Sequence, residues 1–249
     1  MNRKQGYLDN FFGSDGRTVI LPIDHGTAIP VPGLGDVGAL IESVKAHVDG
    51  FVVNLGVANA FADALDGCGV CLRTDVYKPA HGDNEDLGSY PVYSMNDALE
   101  CGAHAVMNML YTHHPREADI YRDCAALISQ GMEVEIPVII ETLPFGIGRP
   151  NDYSPENISF AVRAAAELGA DVVKTAYPGD KSAFKDIVQA CFVPVIVLGG
   201  ATSDDPGSIL SMVEDAMEAG AAGVAIGRNV WGARDPVAMA RSLSEIVHG

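Results

Sequence analysis

An α/β fold, a (β/α)8 barrel closed as one domain over residues 1–249, is what this sequence predicts, on three observations. Short apolar, β-branched runs recur eight times, each followed by a stretch of helical periodicity. The runs stay apolar along their length instead of alternating, which suits parallel strands covered on both faces. Helix boundaries are punctuated: Ser154-Pro155, Asp205-Pro206 and Asp235-Pro236 each place a capping oxygen before a proline suited to the first turn. Gly131, Gly169 and Gly220 stand where helices should end. An open doubly wound sheet is the runner-up, and eight repeats favour the closed form.

The elements follow in order. Residues 18–24 open with Thr-Val-Ile-Leu and make the first strand, and the periodic stretch 37–47 the first helix. Phe-Val-Val marks a strand at 50–55, and Val-Cys-Leu another at 70–76. Residues 77–91, rich in Gly, Pro and acidic or amide groups, form a long loop, either a lid or a solvated insertion. A helix at 95–101 leads to a strand at 104–110, and a helix at 116–130 to the strand 137–142. The helix 155–168 ends in Leu-Gly-Ala-Asp and feeds the strand 171–175, with a helix at 181–191 behind it. The strand 194–198, helix 206–219, strand 223–226 and helix 236–247 complete the series.

Composition bounds the function. A chain with 48% hydrophobic and 20% charged residues can bury a large core. Its formal charge of -17 argues against nucleic-acid binding, which needs clustered Lys and Arg, and repels anions at long range. A phosphate site must therefore be built from local donors. Few lysines beside many aspartates would suit a saline cytoplasm, although an ordinary acidic protein is the simpler reading. No apolar run is long enough to span a bilayer, and the first residues lack the core of a signal peptide, so no membrane partner and a cytoplasmic location are expected. The five cysteines are odd in number and scattered, as reduced thiols would be. Cys68 and Cys71 have C-x-x-C spacing, but no second pair follows, so no metal is expected.

Lys174 is the most informative residue. It lies inside Asp171-Val-Val-Lys-Thr-Ala, which otherwise reads as a buried strand. A buried ammonium is costly unless it is paired or gives up its proton, and a neutral lysine is a nucleophile toward carbonyl groups. An ion pair and a Schiff-base lysine both satisfy this observation.

Catalytic groups in such barrels gather at the C-terminal ends of the strands. Those ends carry Asp24 with His25, Asn54, Asp75, Asn108, Glu141, Lys174, Gly199-Gly200 and Gly227-Arg228. Asp24 is the expected acid/base partner of Lys174, against a salt bridge or a helix cap. His25, next along, is expected to point the other way from Asp24 and either support the first loop or reach the substrate. Gly199, Gly200 and Gly227 allow backbone N–H groups near a phosphate, with Arg228 as a charged fork. Tyr177 either donates at the pocket rim or closes a turn, and His113-His114 reads as a loop feature.

Four motifs carry a resemblance: Ile20-Leu-Pro-Ile-Asp-His-Gly26, Asp171-Val-Val-Lys-Thr-Ala-Tyr-Pro-Gly-Asp180, Pro194-Val-Ile-Val-Leu-Gly-Gly200 and Gly223-Val-Ala-Ile-Gly-Arg-Asn-Val230. Together, in this order, they resemble the archaeal-type class I aldolases, a family holding fructose-bisphosphate aldolase, aminodideoxyheptulosonate synthase and the autoinducer-2 phosphate thiolase. The resemblance implies a Schiff base at Lys174, acid/base work at Asp24 and a phosphate site at the glycines and Arg228. It also implies no cofactor, a small phosphorylated ketose or ketone as substrate, and a large homo-oligomer such as a decamer. Aldolases of this family carry a tyrosine where this chain has Leu143, so Glu141 or Tyr177 is expected to take over its proton transfer. The missing tyrosine also keeps open a thiolase reaction on a phosphorylated diketone. A phosphosugar-binding barrel, with Lys174 as a structural ion pair, is the non-catalytic alternative.

Overall fold

A computed structural model describes residues 3–77, 88–144, 153–203 and 205–249. Eight parallel strands close into a barrel. They are β1 (Thr18–Pro22), β2 (Gly50–Val53), β3 (Gly69–Arg73), β6 (Ala105–Thr112), β7 (Val138–Pro144), β8 (Val172–Thr175), β9 (Val195–Leu198) and β10 (Gly223–Ala225). Each pairs with the next around the ring, and β10 pairs back to β1 with Thr18 beside Gly223. Between β3 and β6, β4 (Asp75–Tyr77) and β5 (Ser89–Pro91) form an antiparallel pair. The expected 77–91 loop thus has an ordered base, and its middle, residues 78–87, lies outside the described residues.

The helices are α1 (Arg3–Leu8), α2 (Val37–Val44), α3 (Leu55–Ala60), α4 (Ala62–Leu65), α5 (Met95–Glu100), α6 (Glu117–Val134), α7 (Pro155–Leu168), α8 (Lys181–Ala190), α9 (Pro206–Glu218), α10 (Arg228–Trp231) and α11 (Pro236–His248). The caps work as the sequence suggests: Ser154 accepts from the N–H of Asn157, Asp205 from that of Gly207, and Asp235 from that of Ala238. Gly169 follows α7 at φ 106°. Gly131 does not end a helix. It lies within α6, where a Cβ would sit 2.7 Å from Val138, so its small size is used for helix-to-strand packing and Glu135 takes the left-handed position. Among the described residues no helix is long and apolar enough to cross a membrane.

Side chains alternate along each barrel strand, and the inward set sorts into two tiers. The lower tier is apolar: Ile20, Val52, Cys71, Ala105, Met107, Ile139, Val172, Ile196 and Ala225 form one buried cluster. The N-terminal segment closes it from below. Phe11 is 1% exposed and packs into this cluster, with Leu8 and Phe12 against it. Lys4 of α1 anchors the segment by a 2.7 Å ion pair to Asp171, just before β8. The outward-facing residues pack the helices in the larger core, which includes Val19, Val53, Leu72, Val106, Ile140, Val173 and Val197. Cys68 belongs to that outer core and Cys71 to the inner one, so the C-x-x-C pair shares no site.

Candidate active site

Two residues beyond most members of the apolar tier comes a second inward tier, part of which lines the cavity. Cys71 is followed by Arg73, Met107 by Met109, Ile139 by Glu141, Val172 by Lys174, Ile196 by Leu198 and Ala225 by Gly227. Strand periodicity therefore places the charged groups in one layer on a dry floor. Above them opens a cavity of about 320 Å³ at the C-terminal end of the barrel, within the range of small-molecule sites.

Lys174, 5% exposed, is ion-paired: its Nζ lies 2.9 Å from Glu141 Oε1. The paired reading of the buried lysine is thus what the resting site contains, inside a cavity that a substrate can enter. The other carboxylate oxygen of Glu141 is 2.5 Å from Arg73, which is fully buried and also donates to Asp75 at 2.6 Å. Asp24 Oδ2 lies 3.8 Å from the same guanidinium. Burial alone would raise the Glu141 carboxyl, but the charges of Lys174 and Arg73 outweigh it and hold the group down to about 2. Glu141 is therefore an acceptor and a counter-charge at neutral pH. It does not meet the expectation of a proton donor in place of the missing tyrosine.

Asp24 and His25 are joined differently from the strand rule. β1 ends at Pro22, and Asp24 has helical backbone angles, φ -82° and ψ -1°, at the start of a short 3-10 turn. Alternation therefore no longer applies, and His25 lines the cavity with its Nδ1 3.5 Å from Asp24 Oδ1. Asp24 is 2% exposed and stands behind the lining, between His25 and Arg73. Burial pushes the His25 imidazole below its ordinary value, with Lys174 and Arg228 acting in the same direction against Asp24. His25 is neutral at neutral pH.

Gly199, Gly200, Gly227 and Arg228 line the cavity just beyond β9 and β10, the strands that lie between β8 and β1 in the barrel. Gly200 has φ +65°, and a Cβ at Gly227 would stand 2.5 Å from the carbonyl oxygen of Pro22. Among the described residues Arg228 forms no ion pair, which leaves its guanidinium available to an anion. Asn229 secures the neighbouring loop by donating to the carbonyls of Gly199 and Ala201.

Several expected residues are elsewhere. Tyr177 lies two residues past the end of β8, packs edge-on against Phe184 of α8 and does not line the cavity. Asn108 faces outward, donating to Cys124 of α6, and Asn54 donates to the carbonyl of Asp24. Asp75 serves Arg73 and accepts from Ser89. His113 stacks on Phe160 outside the site.

Arg73 escaped the sequence reading, although an arginine in an apolar strand is the same signal that exposes Lys174. Tyr77, Tyr111 and Tyr153 also line the cavity. Aromatic residues at strand ends read as core, and only the inward parity of Tyr111 distinguishes it.

With this geometry in place, similarity to known proteins narrows the chemistry. Residues 18–233 match the DeoC/LacD family aldolase model. The chain is 34% identical over 236 residues to 2-amino-3,7-dideoxy-D-threo-hept-6-ulosonate synthase 1 of Archaeoglobus fulgidus, covering 94% of this chain and 87% of that protein. It is 31% identical over 253 residues to fructose-bisphosphate aldolase class 1 of Thermoproteus tenax, covering 96% and 92%. An archaeal fructose-1,6-bisphosphate aldolase whose catalytic lysine carries the substrate's carbinolamine superposes with a TM-score of 0.90, at 29% identity and full coverage of both chains. A buried lysine in a barrel-mouth cavity, on a chain matched by that family over nearly its whole length, makes this protein a member of the DeoC/LacD aldolase family.

Proposed function

We propose that Lys174 is the Schiff-base lysine of this class I aldolase and that its substrate is a small phosphorylated ketose or ketone. The observation carrying the reading is that Lys174, in a buried ion pair, lines the same cavity as Gly199, Gly200, Gly227 and Arg228. On this reading the glycines and Arg228 hold the phosphate by backbone N–H groups and a charged fork.

The chemistry follows from the charges. Lys174 gives up two of its three ammonium protons to the incoming carbonyl oxygen as Nζ bonds to the carbonyl carbon, and the oxygen leaves as water. The iminium that remains carries the charge the ammonium had, so Glu141 and its Arg73 support are already oriented toward it. Neutral His25 takes the proton of the β-hydroxyl, Asp24 behind it steadies the imidazolium, and the pair of the broken carbon–carbon bond forms C=C as the C=N pair moves to nitrogen. The aldehyde departs and an enamine stays on Lys174.

Incubation with dihydroxyacetone phosphate followed by borohydride should add a reduced adduct to the peptide bearing Lys174, and none in Lys174→Ala. No adduct on the native chain would count against the reading. Product formed only with coenzyme A would transfer the chemistry to acyl exchange. Exposed Phe160, Phe192 and Met132 support self-association, which sedimentation velocity measures.

A further inference from the structure

The enamine on Lys174 needs a proton at carbon, and none of the groups assigned above is placed to give it. Glu141 is held ionised and His25 is occupied with the hydroxyl proton. We propose that Tyr111, at the cavity end of β6, is the catalytic acid that protonates the enamine carbon. The proposal rests on the Schiff-base reading of Lys174.

Three observations support it. Tyr111 lines the cavity, is 3% exposed, and its hydroxyl has no hydrogen-bond partner among the described residues. A buried hydroxyl without a partner costs stability and in a native fold points to a role. Its register is also informative. Met109 lies beside Glu141, Glu141 beside Lys174, and Tyr111 beside Leu143. Tyr111 thus faces inward one tier nearer the mouth than the Lys174 layer, on the strand adjoining the position where this chain has leucine. Burial and the Glu141 charge both keep the phenol protonated.

The step balances. The O–H bond of Tyr111 breaks as a C–H bond forms, the enamine pair returns the nitrogen to an iminium, and a phenolate is left. The phenolate recovers its proton from the imidazolium that accepted the hydroxyl proton during cleavage. Water then hydrolyses the iminium and returns Lys174 as an ammonium.

The test uses Tyr111→Phe with dihydroxyacetone phosphate as the probe. In D2O the native chain should exchange hydrogen at the hydroxymethyl carbon, read by proton NMR. The variant should lose exchange by about 100-fold or more. Its borohydride adduct at Lys174 should persist, and its thermal midpoint should be unchanged or higher, since only an unpaired hydroxyl is removed. Adding Leu143→Tyr to the variant should restore part of the exchange from the neighbouring strand. Exchange within threefold of native, with the adduct formed, would overturn the role of Tyr111 and leave Lys174 intact. Loss of exchange together with a lower midpoint and no rescue would make Tyr111 structural and also overturn it. No adduct on the native chain would remove both readings.

Discussion

Replacing Glu141 with glutamine should make the stability of this protein markedly less sensitive to acid. The carboxyl is buried and its folded-state value, about 2, lies below the ordinary 4.5. At 1.36 kcal/mol per pH unit, that depression corresponds to about 3 kcal/mol. Because the folded value is the lower one, this stabilisation is fully present above pH 4.5. It declines as pH falls through 4.5 toward 2. Urea unfolding followed by circular dichroism, run from pH 7 to pH 2.5, measures it directly. At pH 7 the native chain should exceed Glu141→Gln by about 3 kcal/mol, and most of that gap should close by pH 2.5. Other carboxylates titrate in both proteins and drop out of the difference. A gap that is equally wide at both ends would refute the argument, because it would mean that the cost of the variant is packing and not lost charge.

Other perturbations address neighbouring parts of the site. Arg73→Met leaves Asp24, Asp75 and Glu141 without their shared cation and should cost about 3–5 kcal/mol in the same unfolding assay. Gly227→Ala forces a methyl group to 2.5 Å from the Pro22 carbonyl and should raise KM for a phosphorylated ketone more than it lowers kcat. Phe11→Ala should destabilise by roughly 3–5 kcal/mol, measured by urea midpoint, although Phe11 is remote from the cavity mouth.

The barrel was legible because strand runs and helix caps agree. Each apolar run between a glycine or proline stop and a periodic helix became a barrel strand, and the Ser/Asp-Pro signals mark true N-caps. The elements that went unseen lack such local signals. The helix α1 is short and owes its place to Phe11 and Lys4 contacts with the barrel, and β4 pairs with β5 across residues that read as loop. The site was legible where chemistry contradicts its surroundings, as at Lys174 and Glu141. It was less legible at residues just past a strand end, where alternation gives no direction. Tyr177, beyond the end of β8, packs on α8, and of the two places open to His25 the cavity is the one it takes, because β1 stops before Asp24. Arg73 was hidden by Thr74 and Asp75, which made its neighbourhood read as a strand end.

Phe11 and its apolar neighbours seal the barrel from below, so among the described residues the cavity opens toward the C-terminal ends of the strands. On the proposed Schiff-base reading of Lys174, carbon–carbon cleavage produces two fragments, one tethered to the lysine and one free, and both leave through that mouth. The aldehyde is free as soon as the bond breaks and departs first, while the tethered half waits for water to follow it in. Product departure is therefore ordered by the tether, and added aldehyde recaptures the tethered fragment before hydrolysis releases it.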